Sequence, residues 1–463
     1  MKRINCFAAV LFSVVLVLNI VGCGNSSDTS SDISSGSADK RKPYNAQDED
    51  VVLGRDYVDT DGDFEFQTVD WEVSDGYVIV VPENDTSAIE QAEKLKKYYS
   101  DANLEIVADT VSETEREILV GNTNRKASEN SLKESELRAA VVDKKLVFIA
   151  GHSVTLGIAV DRYIRTAPKN GKATTFKLKT DFTSTALDGY KYVWGDEFEG
   201  SDVDFTRWNL ELFMEGTHKA QASKDKDVID VEDGRLKLHA IRYFDPTNEK
   251  IQYRVPYSVT SYKKMDYVYG YAEIRCRLPF FPGVWPSFWA RGTNVGKTVE
   301  SKRNSFFAEI DIFEVFGKKL IQPGLIKWYY DGGNAMSGKY LDIDFWSWED
   351  NERIETEYHT YGFEWTPEKV EVSVDGKPYY TFDITKSYDS REDMASFHEP
   401  MYLIFNNHII TDDSWQKGLL IENSNEKLPA CYYIDYLRLY QKDGVGSLST
   451  DYSDGASLYS DRK

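Results

Sequence analysis

The sequence predicts a multidomain chain in which a small α+β unit precedes an all-β sandwich or barrel. Three observations predict it. The chain has 463 residues, well beyond the ~100–200 that one domain usually takes. From about Trp71 to Asp181 strand-like and helix-like segments alternate, whereas from Tyr190 to Gln441 short runs of Val, Ile, Tyr, Phe and Trp are broken by Gly, Asp, Asn and Pro. The stretch from Gly24 to about Asp50 and the tail after Gln441 are rich in Ser, Gly and Asp, so neither can bury a core. The boundaries read from these shifts are 1–22 for a leader, 23–70 for a stalk, 71–185 for the α+β unit, 186–442 for the all-β unit and 443–463 for a disordered tail.

Composition narrows the function classes. At 41% hydrophobic and 29% charged the chain can build real cores. A net charge of −22 repels phosphate backbones and argues against a nucleic-acid partner. The cysteines Cys6, Cys23, Cys276 and Cys431 form no CxxC, and the six histidines show no metal-ligand spacing, which removes zinc, iron–sulfur and thiol-redox chemistry. Aromatics reach 14%, a lean towards flat side chains that face a ligand.

In chain order, Lys2 and Arg3 precede an apolar run from Phe7 to Val21, the pattern of an export signal. The run ends Ile20-Val21-Gly22-Cys23, which resembles the lipobox of bacterial lipoproteins and implies a lipid on Cys23; an uncleaved membrane anchor is the other reading. Either way the expectation is an exported chain held at the cell membrane or surface on a flexible stalk.

Within the first unit, Tyr77-Val-Ile-Val-Val81 and Glu117-Ile-Leu-Val-Gly121 read as strands. Asp85, Thr86 and Ser87 offer N-caps for a helix with Ile89, Ala92, Leu95 and Tyr99 at helical spacing. A hairpin over Ala139–Ala150 and a helix near Val154–Arg165 complete it. No active-site cluster falls here. "EILVGNTNR" and "LVFIAGHSVTLGIAVDRYI" resemble the accessory α+β domain that precedes the barrel of some hexosaminidases and glucuronidases, which implies a carbohydrate context without a catalytic role.

In the second unit, Tyr271, Glu273 and Arg275 alternate with Ala272, Ile274 and Cys276, as expected of a strand between a core and a polar cleft. Asp375-Gly376 between two strand patterns predicts a tight hairpin. The segment that carries chemistry is Ala308-Glu-Ile-Asp-Ile-Phe-Glu-Val-Phe316, three acids inside an apolar run. A helical reading makes it an ordinary surface turn, but β-branched and aromatic residues favour a strand closed by Gly317. Strand period places Glu309 and Asp311 on one face and would leave Glu314 on the apolar face, where an unpaired carboxylate costs several kcal/mol. A β-bulge at Ile312-Phe313 returns Glu314 to the acidic stripe. Glu309 and Glu314 then stand ~13 Å apart at the backbone, a gap that two inward-reaching side chains close towards the ~5–5.5 Å of a retaining glycosidase. Asp311 between them tunes their ionisation; acids on a solvated strand are the bland alternative.

Glu309 to Glu314 is ExDxxE, and it resembles the catalytic signature of glycoside hydrolase family 16 in the bulged form of laminarinases, agarases and carrageenases. Val193-Trp-Gly-Asp-Glu-Phe-Glu199, Tyr269-Gly-Tyr-Ala-Glu-Ile-Arg-Cys-Arg-Leu-Pro279, Gly283-Val-Trp-Pro-Ser-Phe-Trp289, Tyr358–Pro367 and Tyr433-Ile-Asp-Tyr-Leu-Arg-Leu-Tyr440 match the family in order and spacing. The resemblance implies a concanavalin A-like β-jelly roll of two curved sheets. It implies Glu309 as nucleophile, Asp311 as its assisting carboxylate and Glu314 as acid/base. It implies sugar contacts from Glu273, Arg275, Trp285, Trp289 and Asn406, with a core filler as the lesser reading of Trp289. No cofactor is required for the chemistry. A structural calcium is implied at Glu197, Gly234 and Asp435, although Asp435 could instead cap a turn.

Two departures from the family pattern stand out. Lys327 in Gly324-Leu-Ile-Lys-Trp328 occupies the place of a family His, and Asn406-Asn407-His408 replaces smaller residues. The expected activity is retaining, endo-acting hydrolysis of internal β-glucan bonds, β-1,3-glucan first. The alternatives are a galactan hydrolase of agarase or carrageenase type, which Lys327 would suit, and a carbohydrate-binding surface lipoprotein without turnover. The expected partners are a polysaccharide and, through Cys23, a membrane; the chain is expected to be a monomer. Cys276 and Cys431 are open to a disulfide or to two buried thiols.

Overall fold

The computed structural model describes residues 66–452, apart from 169–170, 213–219, 248, 294–305, 318–319, 331–335, 344–345, 348–353, 355–356, 386–393 and 412–418. The leader, Cys23 and nearly all of the stalk lie outside the described residues.

The first unit is a mixed seven-stranded sheet with two helices. In chain order it comprises β1 (Gln67–Asp70), β2 (Val78–Val81), α1 (Thr86–Tyr98), β3 (Glu105–Ala108), β4 (Glu117–Val120), β5 (Glu136–Val142), β6 (Lys145–Ala150), α2 (Ser153–Thr166) and β7 (Lys172–Lys179). Asp85 caps α1 by accepting the Ala88 N–H at 3.0 Å. The buried stripe of α1 is Ala88, Ala92 and Leu95, an i, i+4, i+7 row; Ile89 lies one position off it and is 38% exposed, unlike the sequence expectation. The two helices meet through Lys94–Asp161 at 2.8 Å and the Tyr99 and Tyr163 hydroxyls at 2.6 Å. β1 begins four residues before the expected boundary at 71, paired with β7.

The second unit is a sandwich of two sheets, mostly antiparallel, of the jelly-roll kind. Its strands are β8 (Tyr190–Asp196), β9 (Asn209–Glu211), β10 (Gln221–Ser223), β11 (Ile229–Glu232), β12 (Arg235–Asp245), β13 (Lys250–Pro256), β14 (Ser258–Thr260), β15 (Asp266–Val268) and β16 (Gly270–Arg277). They continue with β17 (Val284–Gly292), β18 (Phe306–Val315), β19 (Leu320–Tyr330), β20 (Met336–Ile343), β21 (Trp346–Ser347), β22 (His359–Trp365), β23 (Lys369–Val374) and β24 (Lys377–Asp383). The last are β25 (Met401–Ile409), β26 (Ala430–Lys442) and β27 (Ser447–Ser449). The front sheet runs β20-β19-β18-β17-β25-β14-β9, and the back sheet β10-β13-β12-β26-β16-β22-β23-β24. One core fills the space between them, with Phe288, Ile310, Phe313 and Phe405 from the front and Ala272, Ile274, Tyr432 and Leu437 from the back, all fully buried. Asp375 and Gly376 both take positive φ in the β23–β24 turn, the geometry that the Asp-Gly pair predicts.

The sheet assignment corrects one expectation. The alternation of β16 is as read, but β16 belongs to the back sheet, so its polar face is the outside of the sheet opposite the acids. Cys276 points into the core and Cys431 sits beside His239; the two lie on opposite faces of their sheet and are not joined in a disulfide. The tail expected to be disordered from 443 instead adds β27 alongside β15, fastened by the Gln441 amide, which donates to the Tyr269 and Ser447 carbonyls at 2.8 and 3.0 Å.

The two units touch. The Arg162 and Arg165 side chains on α2 reach Glu199 at 2.9 and 3.1 Å, and the His152 ring meets Tyr192 of β8 edge-on at 6.3 Å.

Candidate active site

The site is built on β17, β18 and β19. Ser287 pairs with Glu314, Phe288 with Phe313, Trp289 with Asp311 and Arg291 with Glu309, with a register break between Phe288 and Trp289. Against β19 the break falls between Asp311 and Glu314. Ile312 and Phe313 therefore sit in a bulge, and both are fully buried. The bulge resolves the conflict that a strict two-residue period creates: an apolar pair enters the core and all three acids share the outer face of the front sheet. Gly317, with φ +65°, ends the segment at a place where a Cβ would lie 1.8 Å from the Phe281 carbonyl oxygen, so no larger residue closes this strand.

Each glutamate has its own donors. The Trp328 indole N–H donates to Glu309 Oε2 at 2.8 Å. The Trp285 indole donates to Glu314 Oε1 at 3.0 Å and the Gln322 amide to Oε2 at 3.3 Å. Asp311 is 3% exposed, and its Oδ2 is buried with no hydrogen-bond partner among the described residues. Burial pushes all three carboxyls above their ordinary range. N–H donors oppose the rise at both glutamates, Trp285 and Gln322 at Glu314 and Trp328 at Glu309; the difference is that the charge of Glu309 adds to the rise at Glu314, while the Arg291 guanidinium opposes it at Glu309. Asp311 is raised further by both neighbours. The environment thus favours charge on Glu309 and a proton on Glu314, the division that a nucleophile and an acid need.

Other expected contacts divide by face. Trp285, Trp289 and Asn406 lie on the outer face of the front sheet with the acids. Trp289 donates to Asn406 Oδ1 at 2.7 Å, and Asn406 donates to Ser287 Oγ at 2.6 Å, so a polar row runs beside Glu314. Trp289 is half-buried on that face, not a core filler. Asn407 is on the core side, where its amide joins the back sheet through the Leu238 and Ala430 carbonyls at 2.7 and 3.0 Å. Glu273 and Arg275 are not brought to the site. Glu273 accepts from the Tyr271 and Tyr436 hydroxyls, and Arg275 binds Asp435 at 2.8 Å, both on the outside of the back sheet. Lys327 is also displaced from its expected role. It pairs across the ladder with Ala308 and is 2% exposed, so it shares the face of Ala308 and Ile310, turned away from the acids. Trp328, unmarked in the sequence reading, takes the outward position; counting forward by two from Gln322 through Gly324 and Ile326 would have found it.

The expected calcium donors do not fit a cation. Arg438 holds both oxygens of Glu197, at 2.8 and 3.0 Å, and Arg275 holds Asp435. Gly234 borders Glu199, whose carboxylate the α2 arginines bind. Among the described residues no group of three or more His, Cys, Asp or Glu is placed to hold a metal ion. The positive charge on this face is supplied by guanidinium groups.

Residues 217–422 match the glycosyl hydrolases family 16. The glucan endo-1,3-beta-glucosidase A1 of Niallia circulans is 24% identical over 283 residues, 56% of this chain and 39% of that protein. The beta-glucanase of Rhodothermus marinus is 27% identical over 262 residues, 54% of this chain and 85% of that one. The glucan endo-1,3-beta-glucosidase of Cryptopygus antarcticus is 28% identical over 224 residues, covering 47% and 78%. The solved laminarinase of Flavobacterium sp. UMI-01 is 27% identical, covers 54% of this chain and 100% of its own, and superposes with a TM-score of 0.42. The chain therefore spans well under half of the first of these relatives and most of the next two. Residues 217–422 of the sandwich are thus similar to family 16 domains, and the chain is a glycoside hydrolase.

Proposed function

We propose that the chain is a retaining endo-glycosidase that cleaves internal bonds of β-glucan, with β-1,3-glucan as its first substrate. The observation that carries this reading is the bulge that sets Glu309, Asp311 and Glu314 on one face with separate donors on the two glutamates. Relatives named as glucan endo-1,3-beta-glucosidases and beta-glucanases support the substrate class. Glu309 attacks the anomeric carbon while Glu314 gives its proton to the departing glycosidic oxygen. The carboxylate left on Glu314 then takes a proton from water, which displaces Glu309 with net retention. Two carboxyl groups suffice, so the chemistry needs no cofactor. Trp289 and Asn406 offer an apolar ring and an amide to the sugar beside them.

The galactan alternative drew on Lys327 as a charge facing the sugar, and Lys327 faces the other way. The test is a panel of laminarin, mixed-linkage glucan, agarose and carrageenan, with the anomeric configuration of the first product followed by NMR. Internal cleavage of laminarin with a β-configured product is expected. Cleavage of agarose or carrageenan alone would move the substrate to galactans, and binding without product would make the chain a lectin. We further propose export with a lipid on Cys23 and a monomeric state; Cys23→Ser should release the protein from membranes, and unchanged membrane association with unchanged mature mass would refute the anchor. On the back face, arginine neutralisation is the reading that the residues support. A calcium at Glu197, Gly234 and Asp435 has only the sequence resemblance behind it.

A further inference from the structure

Trp328 sits in a stack that fixes its indole. Its ring lies on Phe307, its cross-strand partner, with centroids 6.2 Å apart and planes 20° from parallel. The Arg291 guanidinium lies 4.2 Å from the Phe307 ring centre. Arg291 is in turn the ladder partner of Glu309. Three adjacent strands therefore contribute a cation, two rings and a carboxylate to one patch, and the indole N–H ends at Glu309 Oε2. A ring with two torsions, held on one side by another ring, loses little freedom in keeping that bond.

We propose that Trp328 is a positioning residue for the nucleophile: its N–H anchors Oε2 of Glu309, keeps the carboxylate ionised and leaves Oε1 to meet the anomeric carbon. This rests on the assignment of Glu309 as nucleophile and goes beyond it by naming what holds that group. An indole suits the task because it donates without carrying charge and has no proton to lose near neutral pH. An ammonium there would pair with the carboxylate and hold its charge back from the developing glycosyl bond. Glu314 is also positioned by an indole, that of Trp285, but its ladder partner on β17 is Ser287 where Glu309 has Arg291, and the Glu309 charge beside it favours its proton. The titratable or charged groups facing Glu309 are Arg291 from β17, Asp311 and Glu314 from its own strand and Tyr402 from β25; Trp328 is the neutral donor from β19.

The test separates the N–H from the ring. Replacing Trp328 by 3-benzothienylalanine keeps the bicyclic shape and removes the donor; Trp328→Phe removes both donor and part of the ring; 5-fluorotryptophan keeps both and serves as the control. A hydrogen bond to a charged group of ordinary strength corresponds to a rise of about 1–2 units in the Glu309 pKa when it is lost. The acidic limb of kcat/KM should move up by that amount in the benzothienyl protein, a loss of roughly tenfold or more below the limb, with KM changed less than about twofold. The second measurement needs no turnover: carboxyl-13C glutamate titrated by NMR, with the Glu309 signal assigned through Glu309→Gln, should show the same upward move. An acidic limb and a Glu309 titration both unchanged in the benzothienyl protein would overturn the proposal. If wild-type protein hydrolyses no glycan yet the NMR titration moves, the activity reading fails while the anchoring of Glu309 stands.

Discussion

On the front face Glu309, Asp311 and Glu314 share one stripe of one strand; the hydrogen bonds described to the two glutamates come from indole and amide N–H donors, and one cation, Arg291, stands opposite Glu309. On the back face Glu197, Glu199 and Asp435 each meet a guanidinium, from Arg438, from Arg162 with Arg165, and from Arg275. Asp311 and all three back-face acids are buried, and Glu309 and Glu314 are half-buried, so both sets bear a cost of leaving water. The back face offsets it with opposite charge and holds two units of the chain together by doing so. The front face leaves like charges close together, and the unrelieved cost appears as raised pKa values. A site that must exchange a proton cannot be neutralised in the way a structural site can.

The largest effect expected is on turnover. Glu314→Ala should slow glucan hydrolysis by roughly 10²–10⁴-fold, the usual contribution of a positioned acid. It should spare the first step with activated aryl glycosides, and azide should return a product of retained configuration. Glu309→Ala should abolish hydrolysis, with azide giving inverted product. Near-normal rates in either variant would dissolve the contrast between the faces, because the front acids would then be ordinary surface charge.

Next in size is a break on the back face. Changing Arg162→Met and Arg165→Met together leaves Glu199, whose side chain is 1% exposed, without its cations. An uncompensated buried charge costs about 3–5 kcal/mol, so thermal unfolding should shift downward clearly. Adding Glu199→Gln to that double variant should recover part of the loss. No recovery would mean that packing of the arginine stems, not charge, joins the two units.

Smaller, and of opposite sign, is the effect of relieving the front face. Because burial and two neighbours raise the folded-state pKa of Asp311, the native state holds a proton that the unfolded chain releases at about pH 4. Stability from this group is therefore complete below that pH and is lost as pH rises towards the raised value. Asp311→Asn should lower activity less than either glutamate change and raise Tm at pH 7–8 by about 2–4 °C, the shift that ~1 kcal/mol gives in a domain of this size. The gain should vanish near pH 4. In the wild type, both limbs of kcat/KM should lie above the ordinary carboxylate value of about 4.3, since Glu309 and Glu314 are both raised. A Tm that falls in Asp311→Asn at every pH would show that the front acids are not under strain.

The same contrast marks what the sequence could disclose. The acid stripe was readable because Glu314 breaks a two-residue period in an apolar run, and only a bulge reconciles the two; the register bears that out. Glu273 and Arg275 were misplaced because alternation shows that a strand has two faces without showing which sheet it joins. Lys327 was assigned to the wrong face for want of its pairing with Ala308, a fact of register and not of composition. The arginines on α2 lie 34 and 37 residues before Glu199 in a differently folded unit, and no local pattern links them. Local chemistry was legible; the partners supplied by topology were not.

The smallest expected effect is the one at which the two accounts of the back face separate. If guanidinium groups already neutralise Glu197, Glu199 and Asp435, a divalent cation would have to displace Arg438 from both Glu197 oxygens and Arg275 from Asp435. Either exchange trades a buried, bidentate or stacked pair for a new ion of the same sign. Chelation should therefore leave Tm and turnover unchanged, and titration of the chelated protein with calcium should show no heat of binding. A ligand that binds only the native state at a hundred times its Kd adds ~2.7 kcal/mol, enough to register in thermal unfolding. A rise of Tm with millimolar calcium would thus place a cation where the arginines stand. If Arg438→Met made the protein calcium-dependent while the wild type stayed indifferent, arginine and calcium would be exchangeable answers to one buried charge.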